Sequence, residues 1–361
     1  MITLISILFL LLYTLLILFF ERGWVRFPLF SINGKNTGQK SIEQLPFLSV
    51  IVCARNEEKN LPNLLRVIAG QSYKNFELIV VNDHSSDKTE SIIRSFMAEN
   101  GNFRVINATG KGKKSALKEG IAASHGEIIV QTDADCVPTE KWLETIAACL
   151  AENDSDLVIG AVKMEATSAF EEMQALEFMS LVASGAGAAA MGVPIMCNGA
   201  NLIYKRSLWN EAVSAQREEF ASGDDMFLLL SAKKLKKKII FLKSVEAIVA
   251  TKAETTLSGF LRQRRRWASK STGYRDFSVL FTAFVIFGLA VLFFVLLLTG
   301  KFKLLLFVFL WKGLIDFFFL SSTASFFDLQ KCLKWIFPVA AIYPFYIIYA
   351  AFSGLLGREK W

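Results

Sequence analysis

Asp133-Ala134-Asp135 places two carboxylates two residues apart directly after the apolar run Glu127–Thr132. Such a pair at a strand end supplies hard oxygen donors for a divalent cation that also engages phosphate oxygens. Two more polar turns follow apolar runs: Ala54-Arg55-Asn56-Glu57, and Asn82-Asp83-His84-Ser85-Ser86-Asp87. Asp87 reads as an N-cap for the helix after it, but capping does not account for three acidic strand ends. The chain has only two histidines, His84 and His125, so no His/Cys ligand set competes and zinc is not expected. Further on, Asp224 and Asp225 precede the helical run MFLLLSAKKL, either as helix caps or as carboxylates available for proton transfer. Gln263-Arg264-Arg265-Arg266-Trp267 sets guanidinium groups beside an aromatic ring, which suits a diphosphate or simply marks the cytoplasmic flank of a membrane span. Gly110-Lys111-Gly112-Lys113-Lys114-Ser115 fails both the Walker and the GxGxxG patterns. As a helix opening it can still offer N–H groups and lysines to an anion, or be a solvated basic turn.

These residues need a frame. Phe47–Ala54, Phe76–Asn82, Phe103–Asn107 and Glu127–Thr132 read as buried strands, and Asn60–Gln71, Lys88–Glu99, Lys113–Ser124 and Glu140–Asn153 as the helices between them. Strands that are apolar throughout and alternate with helices predict an α/β fold with a doubly wound, mostly parallel sheet. Ligands of such sheets bind beyond the carboxyl ends of the strands, where the acidic turns lie.

The frame is not wholly soluble. Of 361 residues 53% are hydrophobic, yet 20% are charged, and the mean hydropathy is +0.40. That excludes a disordered chain, a collagen-like repeat and a disulfide scaffold. Residues 1–21 open with twenty uncharged positions, about 30 Å of helix and enough for the hydrocarbon core. Residues 277–300, 304–327 and 335–356 are three further candidate spans; within the second, Lys312 and Asp316 stand four apart and can pair on one helix face. The expected organisation is therefore a transmembrane helix (1–21), a linker (22–45), a catalytic-type domain (46–252), an interfacial segment (253–276) and three C-terminal spans. Arg22, Arg26, Lys35 and Lys40 after the first span place the 46–252 domain in the cytoplasm of a multi-pass cell-membrane protein, with both termini outside. The five cysteines form no CxxC and read as reduced thiols. The net charge of +7 suits phosphates or an anionic membrane face; nucleic acid is not an expected partner.

In their order and spacing these motifs resemble the membrane-embedded family 2 inverting glycosyltransferases of GT-A fold, which include polysaccharide synthases and ceramide glucosyltransferases. The resemblance covers about residues 46–270. It implies a nucleotide-sugar donor, with Glu57 and Asp83 on the uridine and ribose and Lys113 near the nucleotide. Lys118 stands where the family usually has Asn. The resemblance further implies Mg2+ or Mn2+ on Asp133 and Asp135, with Asp135 the principal ligand, and Asp225 as general base, preceded by Asp224 where the family commonly has Glu. Gln263, Arg266 and Trp267 match the QxxRW motif, which closes over the donor diphosphate and lines the acceptor site. Four spans favour a lipid or lipid-linked glycan acceptor. A processive polysaccharide synthase subunit is the alternative within the enzyme class, and a non-catalytic nucleotide-sugar-binding scaffold the alternative outside it.

Overall fold

A computed structural model describes residues 1–32, 45–98, 101–213 and 223–356. Half of the expected linker, residues 33–44 with Lys35 and Lys40, therefore lies outside the described residues. In chain order the elements are α1 (Ile2–Arg26), β1 (Leu48–Ala54), α2 (Leu61–Ala69), β2 (Phe76–Asn82), α3 (Thr89–Ala98), β3 (Phe103–Asn107), α4 (Lys113–Ala123), β4 (Ile128–Asp133), β5 (Val137–Pro138) and α5 (Trp142–Asn153). Then come β6 (Leu157–Gly160), β7 (Val162–Glu165), α6 (Ala169–Ala190), β8 (Leu202–Lys205), α7 (Arg206–Ala212), α8 (Asp224–Lys234), β9 (Ile239–Leu242) and β10 (Val249–Lys252). Four helices complete the chain: α9 (Leu257–Ser271), α10 (Phe277–Leu298), α11 (Phe302–Phe327) and α12 (Ile336–Leu356).

The chain divides into two compact units. The first, residues 28–163 and 197–252, is built on a seven-stranded sheet of order β3-β2-β1-β4-β8-β6-β9. β1 pairs in parallel with β2 and β4, β2 with β3, and β6 with β9; only β8 runs antiparallel to its neighbours. Helices cover the sheet through one apolar face each. In α2, Leu61, Leu64, Leu65 and Ile68 are buried at helical spacing. β1 and β2 are buried along their length and mainly apolar because helices cover both faces. From β1 the chain winds outward through β2 to β3, then returns to place β4 on the other side of β1. β1 and β4 thus flank the topological switch point, where ligands of open α/β sheets bind.

The second unit, residues 1–27, 164–196 and 253–360, gathers the apolar helices. Residues 164–196, inside the stretch 46–252, fall here and form α6. Among the described residues four segments are long and apolar enough to cross a membrane: Ile2–Arg26, Phe277–Leu298, Phe302–Phe327 and Gln330–Gly354. Lys312 and Asp316 do pair along α11, and the Tyr13 hydroxyl of α1 donates to Asp316, so the polar groups of this span satisfy one another. α9 packs on α12, where Phe260 and Tyr346 meet edge to face at 5.2 Å.

Candidate active site

β1 and β4 run in register, with Cys53 opposite Asp133, so their following turns emerge side by side at the switch point. The turn after β1 is laced to the turn after β2. The Asn56 N–H donates to the Ser85 hydroxyl (3.1 Å), the Ser86 N–H donates to the Asn56 side-chain carbonyl (2.8 Å), and the Glu57 N–H donates to the Thr89 hydroxyl (2.7 Å). Asn56 and His84 hold positive φ values of 57° and 54°, a sparsely populated backbone state that persists only where surrounding bonds fix it. Asp87 does accept the Thr89 N–H at the start of α3, and also that of Glu58.

Asp83 is 1% exposed. Its carboxylate accepts the Gly112 N–H at 3.2 and 3.1 Å, lies 3.1 Å from His84 Nδ1, and has Arg55 at 4.0 Å. Gly112 reaches it with φ of 94°, a conformation that a side chain would strain. The basic turn before α4 therefore spends this N–H on Asp83 rather than on a free anion. Lys113, the first residue of α4, donates through Nζ to Asp133 at 2.5 Å. Burial would lower its pKa, but Asp133 and Asp224 outweigh that and hold the amine cationic above the usual lysine value. Lys114 lies over the Phe227 ring, 5.0 Å from its centroid.

Asp133, Asp135 and Cys136 are the one group of potential metal ligands found among the described residues, with ligand atoms within 4.8 Å of one another. Burial and the neighbouring Asp133 charge push the Asp135 carboxyl above its ordinary range, against the opposing pull of Lys113. Burial raises the Glu57 carboxyl; the Asn60 bond opposes this, while Asp135 and Asp133 reinforce it. Excess negative charge that strains its own ionisation is relieved by a bound cation, and the two carboxylates offer hard oxygen donors. Burial followed by the same two aspartates holds Cys136 well above a normal thiol, so it stays protonated and is a poor ligand for such a cation. The residues present fit Mg2+ or Mn2+.

Asp224 and Asp225 open α8, but Gly223 occupies the cap position, so neither acid is the N-cap. The two diverge. Asp224, 4% exposed, accepts from Gln131 Nε2 (2.8 Å) on β4, two residues before Asp133. Asp225 accepts the Gly199 N–H at 3.2 Å. The absence of a side chain at Gly199 leaves room for the Gln131 amide, since a Cβ there would lie 2.9 Å from Gln131 Nε2. Through its bond to Gly199, Asp225 is anchored beside the strand that bears the Asp pair. Ala221 and Ser222 of the same motif lie outside the described residues.

The first unit thus brings together Glu57, Asp83, Lys113, Asp133 and Asp135 at the sheet edge, and anchors Asp225 beside β4. Gln263, Arg266 and Trp267 belong to the second unit, on α9. Arg266 pairs with no carboxylate among the described residues. Residues 49–211 match the family model described as Glycosyl transferase family 2. They form a family 2 glycosyltransferase domain. The glycosyltransferase AglE of Haloferax volcanii is 34% identical over 122 residues, 33% of this chain and 40% of that protein. A beta-monoglucosyldiacylglycerol synthase of Trichormus variabilis is 38% identical over 104 residues, 27% of this chain and 22% of the synthase. The chain thus spans less than half the length of these relatives. The solved mannosyltransferase PcManGT of Pyrobaculum calidifontis, in complex with GDP-Man and Mn2+, superposes with a TM-score of 0.59 at 18% identity, covering 99% of this chain and 100% of that one. The family 2 domain has the GT-A fold expected from the sequence. Two features carry no signal in the sequence: Arg55 beside Asp83, and the division of labour between Asp224 and Asp225. Adjacent acids look alike until the fold shows which one faces the sheet.

Proposed function

We propose that this protein is a membrane-bound inverting glycosyltransferase that moves a sugar from a nucleoside diphosphate, expected to be UDP, to a lipid or lipid-linked glycan acceptor. The observation that carries this reading is the excess of carboxylates at the β1/β4 switch point of a family 2 domain, with Lys113, paired to Asp133, among them. Asp83 and Glu57 bind the nucleoside, and Lys113 lies near the diphosphate. Asp133 and Asp135 would hold Mg2+ or Mn2+, which would supply positive charge to the leaving diphosphate. PcManGT with GDP-Man and Mn2+ supports the donor class and the ion class. Asp225 takes the proton from the acceptor hydroxyl as its oxygen forms the bond to the anomeric carbon and the bond to the diphosphate oxygen breaks. One base and one attacking oxygen invert the anomeric centre, without a covalent sugar–enzyme intermediate.

Two observations support a lipidic acceptor. α9, which carries the QxxRW motif that the resemblance assigns to diphosphate and acceptor, packs on α12, within an apolar span of the same unit. One relative is named as a synthase of a glycosylated diacylglycerol. The domain is proposed to face the cytoplasm of the cell membrane. The test is a panel of UDP- and GDP-sugars given to the detergent-purified protein with Mn2+ or with Mg2+, with and without membrane lipid, reading diphosphate release. Release from one donor that depends on lipid is expected. No release from any donor with lipid and either ion would overturn the reading.

A further inference from the structure

Transfer as proposed uses Gln263, Arg266 and Trp267 of the QxxRW motif and leaves the residues between them without a task. One of these is the most deeply buried charge among the described residues of its unit. Arg264 is 5% exposed and faces Glu177 of α6, itself 8% exposed. The guanidinium donates from Nη2 at 2.6 Å and from Nε at 3.2 Å to the Glu177 carboxylate. Its remaining arm, Nη1, donates to the side-chain carbonyl of Gln263. Its guanidinium carbon lies over two rings, 4.4 Å from the centroids of Phe260 and of Trp267. The spacing 260, 264, 267 puts all three on one face of α9. From α6, Phe178 next to Glu177 closes on Trp267 at 6.1 Å.

A buried ion pair is poor evidence of stability by itself, since desolvation offsets the attraction. Holding α9 to α6 could be done by apolar contacts at no such cost. What an apolar residue cannot do is bond Gln263 and underlie the Trp267 ring with one rigid plane. We infer that Arg264, fixed by Glu177, is a positioning residue that sets the side chains of Gln263 and Trp267, the two ends of the QxxRW motif, for acceptor binding. This rests on the transfer reading only for the word acceptor; the positioning itself is a property of α6 and α9.

The test uses the full chain in detergent and two variants. Arg264→Lys keeps the charge against Glu177 but loses the plane and the fork. Glu177→Gln/Arg264→Gln removes both charges together, so no unpaired ion is left buried, and it carries the test should the lysine variant fold poorly. The primary readout is acrylamide quenching of the Trp267 fluorescence, taken as the difference between each protein and its Trp267→Phe counterpart. The second is transfer from UDP-glucose to dioctanoylglycerol as probe, alongside UDP affinity. Greater quenching of Trp267 is expected in both variants, with acceptor KM raised about tenfold and UDP affinity, to which the same motif contributes, lowered by less. Unchanged Trp267 quenching in a variant with a native melting profile would overturn the inference, as would equal losses of acceptor and UDP binding. A parent protein inert toward every donor would strike the transfer reading instead, and the quenching would still decide the positioning role.

Discussion

The two ends of the parallel sheet carry acidic groups of opposite fate. At the amino end, Glu77 on β2 accepts from the Ser49 hydroxyl (2.7 Å), the His125 N–H (2.6 Å) and the Arg104 guanidinium (2.5 Å). Burial alone would raise this carboxyl, but those three donors hold it below the ordinary glutamate range. At the carboxyl end, Asp135 and Glu57 are pushed up, and Lys113 is a cation among them. One end closes its electrostatics within the protein; the other leaves negative charge for something else to neutralise. A fold that surrounds the Glu77 carboxylate with three donors at one end makes the imbalance at the other end a sign of ligand binding rather than of poor packing.

The comparison breaks first at the carboxyl end. Asp135→Ala should lower Mn2+ binding, followed by electron paramagnetic resonance, and reduce transfer by ~10³-fold or more, since a bound cation supplies several kcal/mol at the leaving group. Excess chelator should do the same to the parent protein. Full turnover under chelation would show that Lys113 and arginines alone serve the diphosphate.

Asp225→Asn gives the next largest effect. The substitution keeps an acceptor for the Gly199 N–H but removes the proton acceptor, so transfer should fall ~10²–10⁴-fold while UDP affinity holds. Gly223 remains the cap, although Asp225 Oδ1 also accepts the Met226 N–H at 2.7 Å in the first turn, so the expected cost to the helix start is small. Near-parental transfer would move the base to Asp224, whose bond to Gln131 makes it the more structural of the two.

Legibility in the sequence follows the same division. β1, β2 and β4 are readable to within a residue or two, because strands buried on both faces leave mainly apolar runs, and the edge strand β3 is readable from its short apolar run between polar turns. Their acidic ends are readable because helix capping takes one acid at a turn, and DxD after such a run supplies two. The four-residue strands β6, β8 and β9 are not, being too short to show a period. Neither is the place of α6 with the apolar helices, since Val182-Ala183-Ser184-Gly185-Ala186-Gly187 packs by smallness rather than by hydropathy. The Glu177–Arg264 pair joins residues 87 positions apart, a separation that no local pattern reveals.

At the amino end the expected effects are on stability. Glu77→Gln keeps the shape but offers an amide where Arg104 needs an oxygen, and should cost about 1–3 kcal/mol by denaturant titration, with UDP affinity unchanged. A loss of nucleotide binding at full stability would mean that the two ends are not independent.

Acid should separate the ends by the smallest margin, and in a fixed order. A carboxyl whose folded pKa is depressed, as in Glu77, adds stability that is fully present above its unfolded value of ~4.3 and is lost only as the pH falls through the lower folded value. Asp135 has the opposite sign: its folded pKa lies above the ~3.9 of an ordinary aspartate, so protons compete with the cation earlier in the descent. On acidification, Mn2+ should therefore leave before the sheet begins to loosen. Following the Mn2+ resonance and the tryptophan emission in one titration checks this, because the first transition should precede the second. In Glu77→Gln the second transition should lose the acid-dependent part due to this carboxylate, while the first stays where it was. Coincident transitions in the parent would show that ion release is only a consequence of unfolding, and that Asp135 titrates like any exposed acid.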